Sequence, residues 1–326
     1  MDMHDCGRPP MLLSPAFKDY IWGGDRLVKE YGKKTDMRPV AESWELSCHP
    51  DGYSHIASGA YKGRTLAGVL GERPDWVATG AAARAYSGFP ILIKLIDAKR
   101  DLSLQVHPND DYAKKYENDN GKNEAWYVID CEPGSSLILG LGENMPEGGV
   151  SALLKDESIL KYVRDVPVKP GDCFCVPAGL LHAIRGGVLI AEVQQSSNVT
   201  YRVFDYGRTG PDGRPRQLHT NHAARVIDAS ARAGNAAENA VTRQFDGYRA
   251  ADLIDWPYFK LSRIDVNGVA RLLCGDTFQA LLVVDGELAV ESEVSLAAEK
   301  GACVFIPAGL GRYALRGRGQ ALITTI

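Results

Sequence analysis

The chain has 326 residues, 45% of them hydrophobic and 24% charged, and a formal net charge of −4. These are the proportions of an ordinary globular protein, and the length predicts two domains rather than one. A mildly acidic balance gives no general attraction to nucleic acid or to an anionic membrane, so an anionic ligand would need a locally basic pocket.

The start, Met1-Asp2-Met3-His4-Asp5, lacks the basic residues and apolar run of a secretory signal. No apolar stretch reaches the ~18 residues of a membrane span, and the chain is expected to be cytoplasmic. Its seven cysteines form no disulfide framework and are read as reduced thiols. Cys173 and Cys175 share one face of a strand, a spacing that matches neither a redox nor a zinc motif.

In chain order, residues 65–70 read as a short amphipathic helix, followed by strands at 89–96, 102–106, 126–129 and 136–140. A second helix is predicted over 150–163, then strands at 173–176 and 188–194, and a third helix beginning at 219–226. Residues 228–246 are rich in Ala, Asn, Arg and Glu with few large apolar side chains, the composition of a linker. Strands follow at 258–266, 278–284 and 302–306. The expected organisation is an N-terminal domain over 1–227, the linker, and a smaller C-terminal domain over 247–326.

An internal repeat refines this. Gly171-Asp-Cys-Phe-Cys-Val-Pro177-Ala-Gly179-Leu-Leu-His182 recurs as Gly301-Ala-Cys-Val-Phe-Ile-Pro307-Ala-Gly309-Leu-Gly-Arg312. More loosely, Glu124-Ala-Trp-Tyr-Val-Ile-Asp130 lies on Gln279-Ala-Leu-Leu-Val-Val-Asp285. Two copies of one strand-rich unit predict a mainly β chain of two jelly-roll barrels with a few short helices. Where the first copy has His182 and Glu124, the second has Arg312 and Gln279, so the second is expected to be structural and without metal ligands.

Candidate chemistry gathers in the first copy. In Leu104-Gln-Val-His-Pro108, Gln105 and His107 point to one face of a strand. Such a polar pair inside a barrel costs on the order of 2–7 kcal/mol per unpartnered group, so it is either solvated or occupied. Lys122 and Glu124 share a face at the entry to the next strand, and the Pro177–Gly179 turn presents His182. A lone histidine is ordinarily a packed or surface residue. Jointly, however, Gln105, His107, Glu124 and His182 offer two imidazoles, a carboxylate and an amide oxygen, a donor set suited to Zn²⁺ acting as a Lewis acid. Arg202 lies in a polar run after an apolar strand, where a fixed guanidinium could stabilise an enediolate. The competing reading of Arg202 is a surface ion pair with Asp205. His219 and His222 are three apart but nothing nearby completes a site, and His49 and His55 are read as surface or hydrogen-bonded residues.

At these residues the chain resembles the shorter bacterial branch of the type I mannose-6-phosphate isomerases, within the cupin superfamily. The likeness rests on Phe17-Lys-Asp-Tyr-Ile-Trp-Gly-Gly24, Glu42-Ser-Trp44, the Gln105/His107 strand, Gly121-Lys-Asn-Glu124, Pro177 to His182 and Thr200-Tyr-Arg202-Val, in that order. It runs over about residues 12–225 with a weaker C-terminal tail. The resemblance implies one zinc ion per chain on Gln105, His107, Glu124 and His182, with Lys122 and Arg202 near a sugar-phosphate substrate. It also implies proton transfer between C1 and C2 of the open-chain sugar through a cis-enediol, in a monomer or homodimer. Lys122, His107 and a zinc-bound water are all candidate proton carriers, and Arg208 and Arg216 are candidate phosphate anchors. Related enzymes often carry an Asp four residues before the arginine, where this chain has Asn198. Two other readings stand beside this one: another metal-dependent cupin enzyme, such as an iron oxygenase, and a sugar-phosphate-binding regulatory cupin without turnover.

Overall fold

Each of the nine predicted strands folds as a strand, with bounds shifted by a few residues, and the sheets that they join are antiparallel. The computed structural model describes residues 7–80, 88–142, 149–154, 157–210 and 213–326. The N-terminal barrel is made of a six-stranded and a five-stranded sheet. The six-stranded sheet runs in the order Cys173–Val176, Glu124–Cys131, Val188–Gln195, Ile91–Ala98, Glu42–Leu46, Ala16–Lys18. The five-stranded sheet runs Tyr201–Phe204, Leu104–Val106, His182–Ile184, Ser136–Leu141, Val163–Pro167. Between them lie Ile96, Trp126, Phe174, Leu137, Leu139, Ile184 and Ile190, the interior of the barrel.

The other face of the six-stranded sheet packs on the C-terminal sheet, where Ile93, Leu95, Tyr127, Ala191 and Val193 meet Leu261, Phe278, Leu282 and Phe305. Burial on both faces explains why strands Ile91–Ala98 and Val188–Gln195 read as largely apolar runs rather than alternating ones. The nine-stranded C-terminal sheet includes Lys260–Cys274, Gly311–Thr325, Gln279–Glu291 and Cys303–Ile306. It curls around a second interior filled by Leu281, Val283, Val304, Ile306, Tyr313 and Leu315.

The repeat is structural. Glu124 pairs with Val176 in the first copy, and Gln279 pairs with Ile306 in the second, the same register in both. Each copy then turns identically, with Leu180 N–H donating to Pro177 O and Leu310 N–H to Pro307 O. Gly179 and Gly309 close these turns at φ of 88° and 75°, a backbone region in which a side chain is strained.

The N- and C-terminal segments interlock. Strands Met11–Ser14 and His55–Ile56 join the C-terminal sheet. Within the segment read as a linker, Thr242–Phe245 is a strand of that sheet. Upstream of it, Ala233 is buried, and Asn235 accepts from Cys173 N–H and donates to Asp172. Small and polar side chains therefore dock there instead of forming an open tether.

The helix predicted over 150–163 is corrected. A helix spans Gly149–Leu153, a 3₁₀ turn spans Glu157–Lys161, and a strand begins at Val163. Val163 and Val166 join the edge of the five-stranded sheet instead, paired with Leu141 and Leu137. The other two helices form at Leu66–Glu72, capped by the Thr65 hydroxyl, and at Thr220–Val226. A further helix, Asp110–Tyr116, is capped by the Asn109 side chain directly after the His107 strand. The six described cysteines are all free. Among the described residues no helix is long and apolar enough to cross a membrane.

Candidate metal centre and active-site cavity

Three strand ends place the central side chains. Gln105 lies opposite both His182 and Arg202 in the five-stranded sheet, His107 follows the same strand, and Glu124 opens the strand that faces them. His107, Glu124 and His182 are all buried, and their ligand atoms lie within 4.8 Å of one another. His107 Nε2 is 3.2 Å from Glu124 Oε1, His182 Nε2 is 3.8 Å from Glu124 Oε2, and the two Nε2 atoms are 3.1 Å apart.

The backbone decides which way the imidazoles are protonated. His107 Nδ1 lies 2.8 Å from Val199 O, and His182 Nδ1 lies 2.8 Å from Leu180 O. A carbonyl only accepts, so both Nδ1 atoms carry hydrogen and both Nε2 atoms present lone pairs to the same point. Glu124 Oε1 meets the Lys122 ammonium, and Oε2 has no hydrogen-bond partner. That ammonium stands at one side of two lone pairs and a buried carboxylate, and it leaves Glu124 Oε2 facing the His182 lone pair, a repulsion that a second cation among them would relieve. The donor set and its orientation therefore fit a divalent metal.

The titration behaviour agrees. Burial, then Lys122, pushes His107 down to about 3, and burial lowers His182 as well, so both imidazoles stay neutral. Burial opposes ionisation of Glu124, but the Lys122 ammonium outweighs it and holds the carboxyl well below its usual range. Lys122 Nζ stands 2.5 Å from Glu124 Oε1 and 3.1 Å from His107 Nε2. Gly121, just before Lys122, packs against the start of helix Asp110–Tyr116, where a Cβ would lie 2.4 Å from Asp110 N. Gln105 stands at the edge of the triad with its amide nitrogen 3.5 Å from His182 Nε2, while its oxygen accepts from Ser103 at 3.4 Å. Turning that amide over would bring the oxygen to the metal-facing side.

Beside the triad, and lined by its neighbours Gln105 and Lys122, lies a cavity of about 280 Å³ whose wall also includes Tyr20, Trp22, Glu42, Lys94, Trp126, Glu192, Asn198, Arg202 and Arg216. Glu42, Lys94 and Glu192 are functional candidates that sequence reasoning missed. Lys94 lies opposite Glu192 in register, 3.0 Å from its Oε1, and 3.7 Å from Glu42 Oε2. Trp126 and Trp44 indoles donate to Glu192 and Glu42 at 3.0 and 2.7 Å. The available signal was one charge in each of two apolar strands, Ile91-Leu-Ile-Lys-Leu-Ile96 and Leu189-Ile-Ala-Glu-Val193.

At the mouth, three guanidiniums face one carboxylate. Arg208 and Arg216 each bind Asp205 at 2.5 Å. Arg202 instead donates to Gln217 O at 2.8 Å and keeps a buried Nε without a partner. Burial and then Arg216 lower its pKa, the mark of excess positive charge. His219 and His222 serve as supports: His219 Nδ1 accepts from Arg202 N–H, and His222 Nδ1 meets the Tyr112 hydroxyl. His49 Nδ1 accepts from Asp51 N–H, and His55 is exposed at a sheet edge.

Comparison with known proteins now decides the family. Residues 11–131 match the type I phosphomannose isomerase catalytic domain, and residues 251–326 match the mannose-6-phosphate isomerase cupin domain. A mannose-6-phosphate isomerase of Bacillus subtilis (strain 168) is 33% identical over 97% of this chain and 98% of its own length. The chain belongs to the type I phosphomannose isomerases. Another such isomerase, from Streptococcus mutans, is 34% identical over 96% of this chain and 92% of its own. The crystal structure of mannose 6-phosphate isomerase from Bacillus subtilis superposes with a TM-score of 0.90 at 31% identity, covering 97% of this chain and 99% of that one. The two β barrels are thus the cupin barrels of a type I phosphomannose isomerase, and the triad lies in the N-terminal one.

Proposed function

We propose that this chain interconverts mannose 6-phosphate and fructose 6-phosphate through a cis-enediol, with one zinc ion held by Gln105, His107, Glu124 and His182. The observation that carries the reading is that Lys122 and Gln105, which touch the buried His/Glu/His triad, line one cavity together with Arg202 and Arg216. The relatives named above carry this activity in their names, and one structural neighbour, a mannose 6-phosphate isomerase, was solved with zinc and yttrium bound. On this reading the N-terminal barrel is the catalytic domain and the C-terminal barrel its structural partner, since side chains fill the second interior.

An open-chain hexose phosphate has a carbonyl at one end and a dianion at the other. Zinc would supply a Lewis acid for the C1 and C2 oxygens, where negative charge grows during enolisation. Lys122 sits at that end, its ammonium placed to donate to the same oxygens. Arg202 projects from the opposite wall, and because a guanidinium does not surrender its proton it stabilises the enediolate without quenching it. Arg216, with Arg208 behind it, leaves net positive charge around Asp205 to anchor the phosphate. Glu42, Lys94 and Glu192 line the cavity as fixed acceptors and donors for the sugar hydroxyls.

Isomerisation in heavy water tests the route. A proton moved between C2 and C1 by a protein group that exchanges with solvent leaves deuterium on C1 of fructose 6-phosphate, measurable by proton NMR. Conversion with no deuterium at C1, even at long residence times, would instead indicate direct hydride migration.

A further inference from the structure

We propose that Asp51 is a positioning residue for the isomerase cavity, holding the Asn198 amide so that its oxygen faces the sugar. The inference rests on the reading of the cavity given above. Asn198 lines that cavity and also a neighbouring hollow of about 420 Å³ on its outer side, which Asp51, Asp119 and Glu117 line as well. It is thus part of the wall between the two. Two of its donors meet carboxylates of the outer side: Nδ2 donates to Asp51 Oδ2 at 2.6 Å, and the backbone N–H donates to Asp119 Oδ2 at 3.3 Å.

The two ends of an asparagine amide are nearly equal in shape and opposite in function. A carboxylate only accepts, so Asp51 fixes which end is which. The nitrogen is held outward and the oxygen is left for the other side, four residues from Arg202. Among the described residues no hydrogen bond reaches Asn198 Oδ1, which leaves it to accept from a sugar hydroxyl. Asp51 is itself held in place: its N–H donates to His49 Nδ1 at 3.1 Å, and its carbonyl accepts from Lys18 Nζ at 2.6 Å. It touches Asn198 from outside, does not line the cavity, and acts through the amide.

A double-mutant cycle on the zinc-loaded enzyme tests this, read by kcat and KM for mannose 6-phosphate and by calorimetric affinity for fructose 6-phosphate. Asp51→Ala and Asn198→Ala should each lower kcat/KM and the affinity about tenfold, the effect of one hydrogen bond to substrate. The double variant should be no worse than Asn198→Ala alone. Asp51→Asn keeps an oxygen acceptor and should recover part of the loss, which a purely electrostatic role of Asp51 would not allow. Additive losses, or Asp51→Ala at wild-type level, would overturn the proposal. Wild-type protein that binds fructose 6-phosphate without turnover would count against the isomerase reading alone, because the binding cycle still decides the couple.

Discussion

His182→Ala should retain less than about one-thousandth of wild-type turnover and bind zinc far more weakly, whereas Arg312→His should stay within about twofold of wild type. The two residues occupy the same place in the two copies of the repeat, so the comparison separates the role of the frame from the role of the side chain. His182 is fully buried, with its Nδ1 committed to Leu180 O and its Nε2 aimed at His107 and Glu124. Removing it leaves Gln105, His107 and Glu124, a set with one imidazole instead of two that should hold zinc far less tightly. It also removes one of the lone pairs that repel each other, so the fold should survive, as circular dichroism and thermal unfolding would show. Arg312 is exposed, and the interior that it borders is filled by Tyr313 and its neighbours, leaving no acceptor cluster to complete. Equal activity in the two variants would mean that the first copy had been wrongly chosen as the active one.

Arg202→Ala should lower kcat by about 10²–10³-fold with a smaller change in KM, as when one pre-positioned donor to a developing oxyanion is lost. Its backbone does not depend on the side chain, since Arg202 N–H donates to His219 Nδ1 and Arg202 O accepts from His219 N–H. The loss would therefore report chemistry rather than misfolding. Arg202→Lys keeps the charge but not the planar fork, and should fall between the two. Steady-state kinetics on folded, zinc-loaded variants decides this. A rise in KM at unchanged kcat would make Arg202 a phosphate anchor and not a group acting on the transition state. The surface ion pair with Asp205 considered from sequence does not form, because Arg208 and Arg216 take that carboxylate.

Much of the candidate centre was legible because its side chains sit in short local frames. His182 follows a Pro-Ala-Gly turn whose duplicate carries Arg312, and Gln105 and His107 alternate along one strand. Period-two alternation and turn chemistry are local properties, and they survive in sequence. The cluster of Glu42, Lys94 and Glu192 was not legible, because it arises from cross-strand register among segments up to about 150 residues apart. A single buried charge in an apolar run marks such a position, yet it does not say which partner it meets. The helix expected over 150–163 is instead a helix to Leu153 and a 3₁₀ turn over Glu157–Lys161, and its last residue, Val163, pairs with Leu141 at a sheet edge, where tertiary pairing overrides local pattern. Residues 228–246 misled through composition, since alanine and asparagine can dock in shallow places where large side chains would not fit.

The most direct test is mannose 6-phosphate to fructose 6-phosphate turnover by protein stripped with chelator and then reloaded with one equivalent of zinc. Loss of turnover on stripping and its return with zinc, at a stoichiometry of one ion per chain, is the result predicted here. Protein that binds zinc and sugar phosphate but converts neither sugar into the other would contradict it, and would leave this chain as a binding member of an isomerase family.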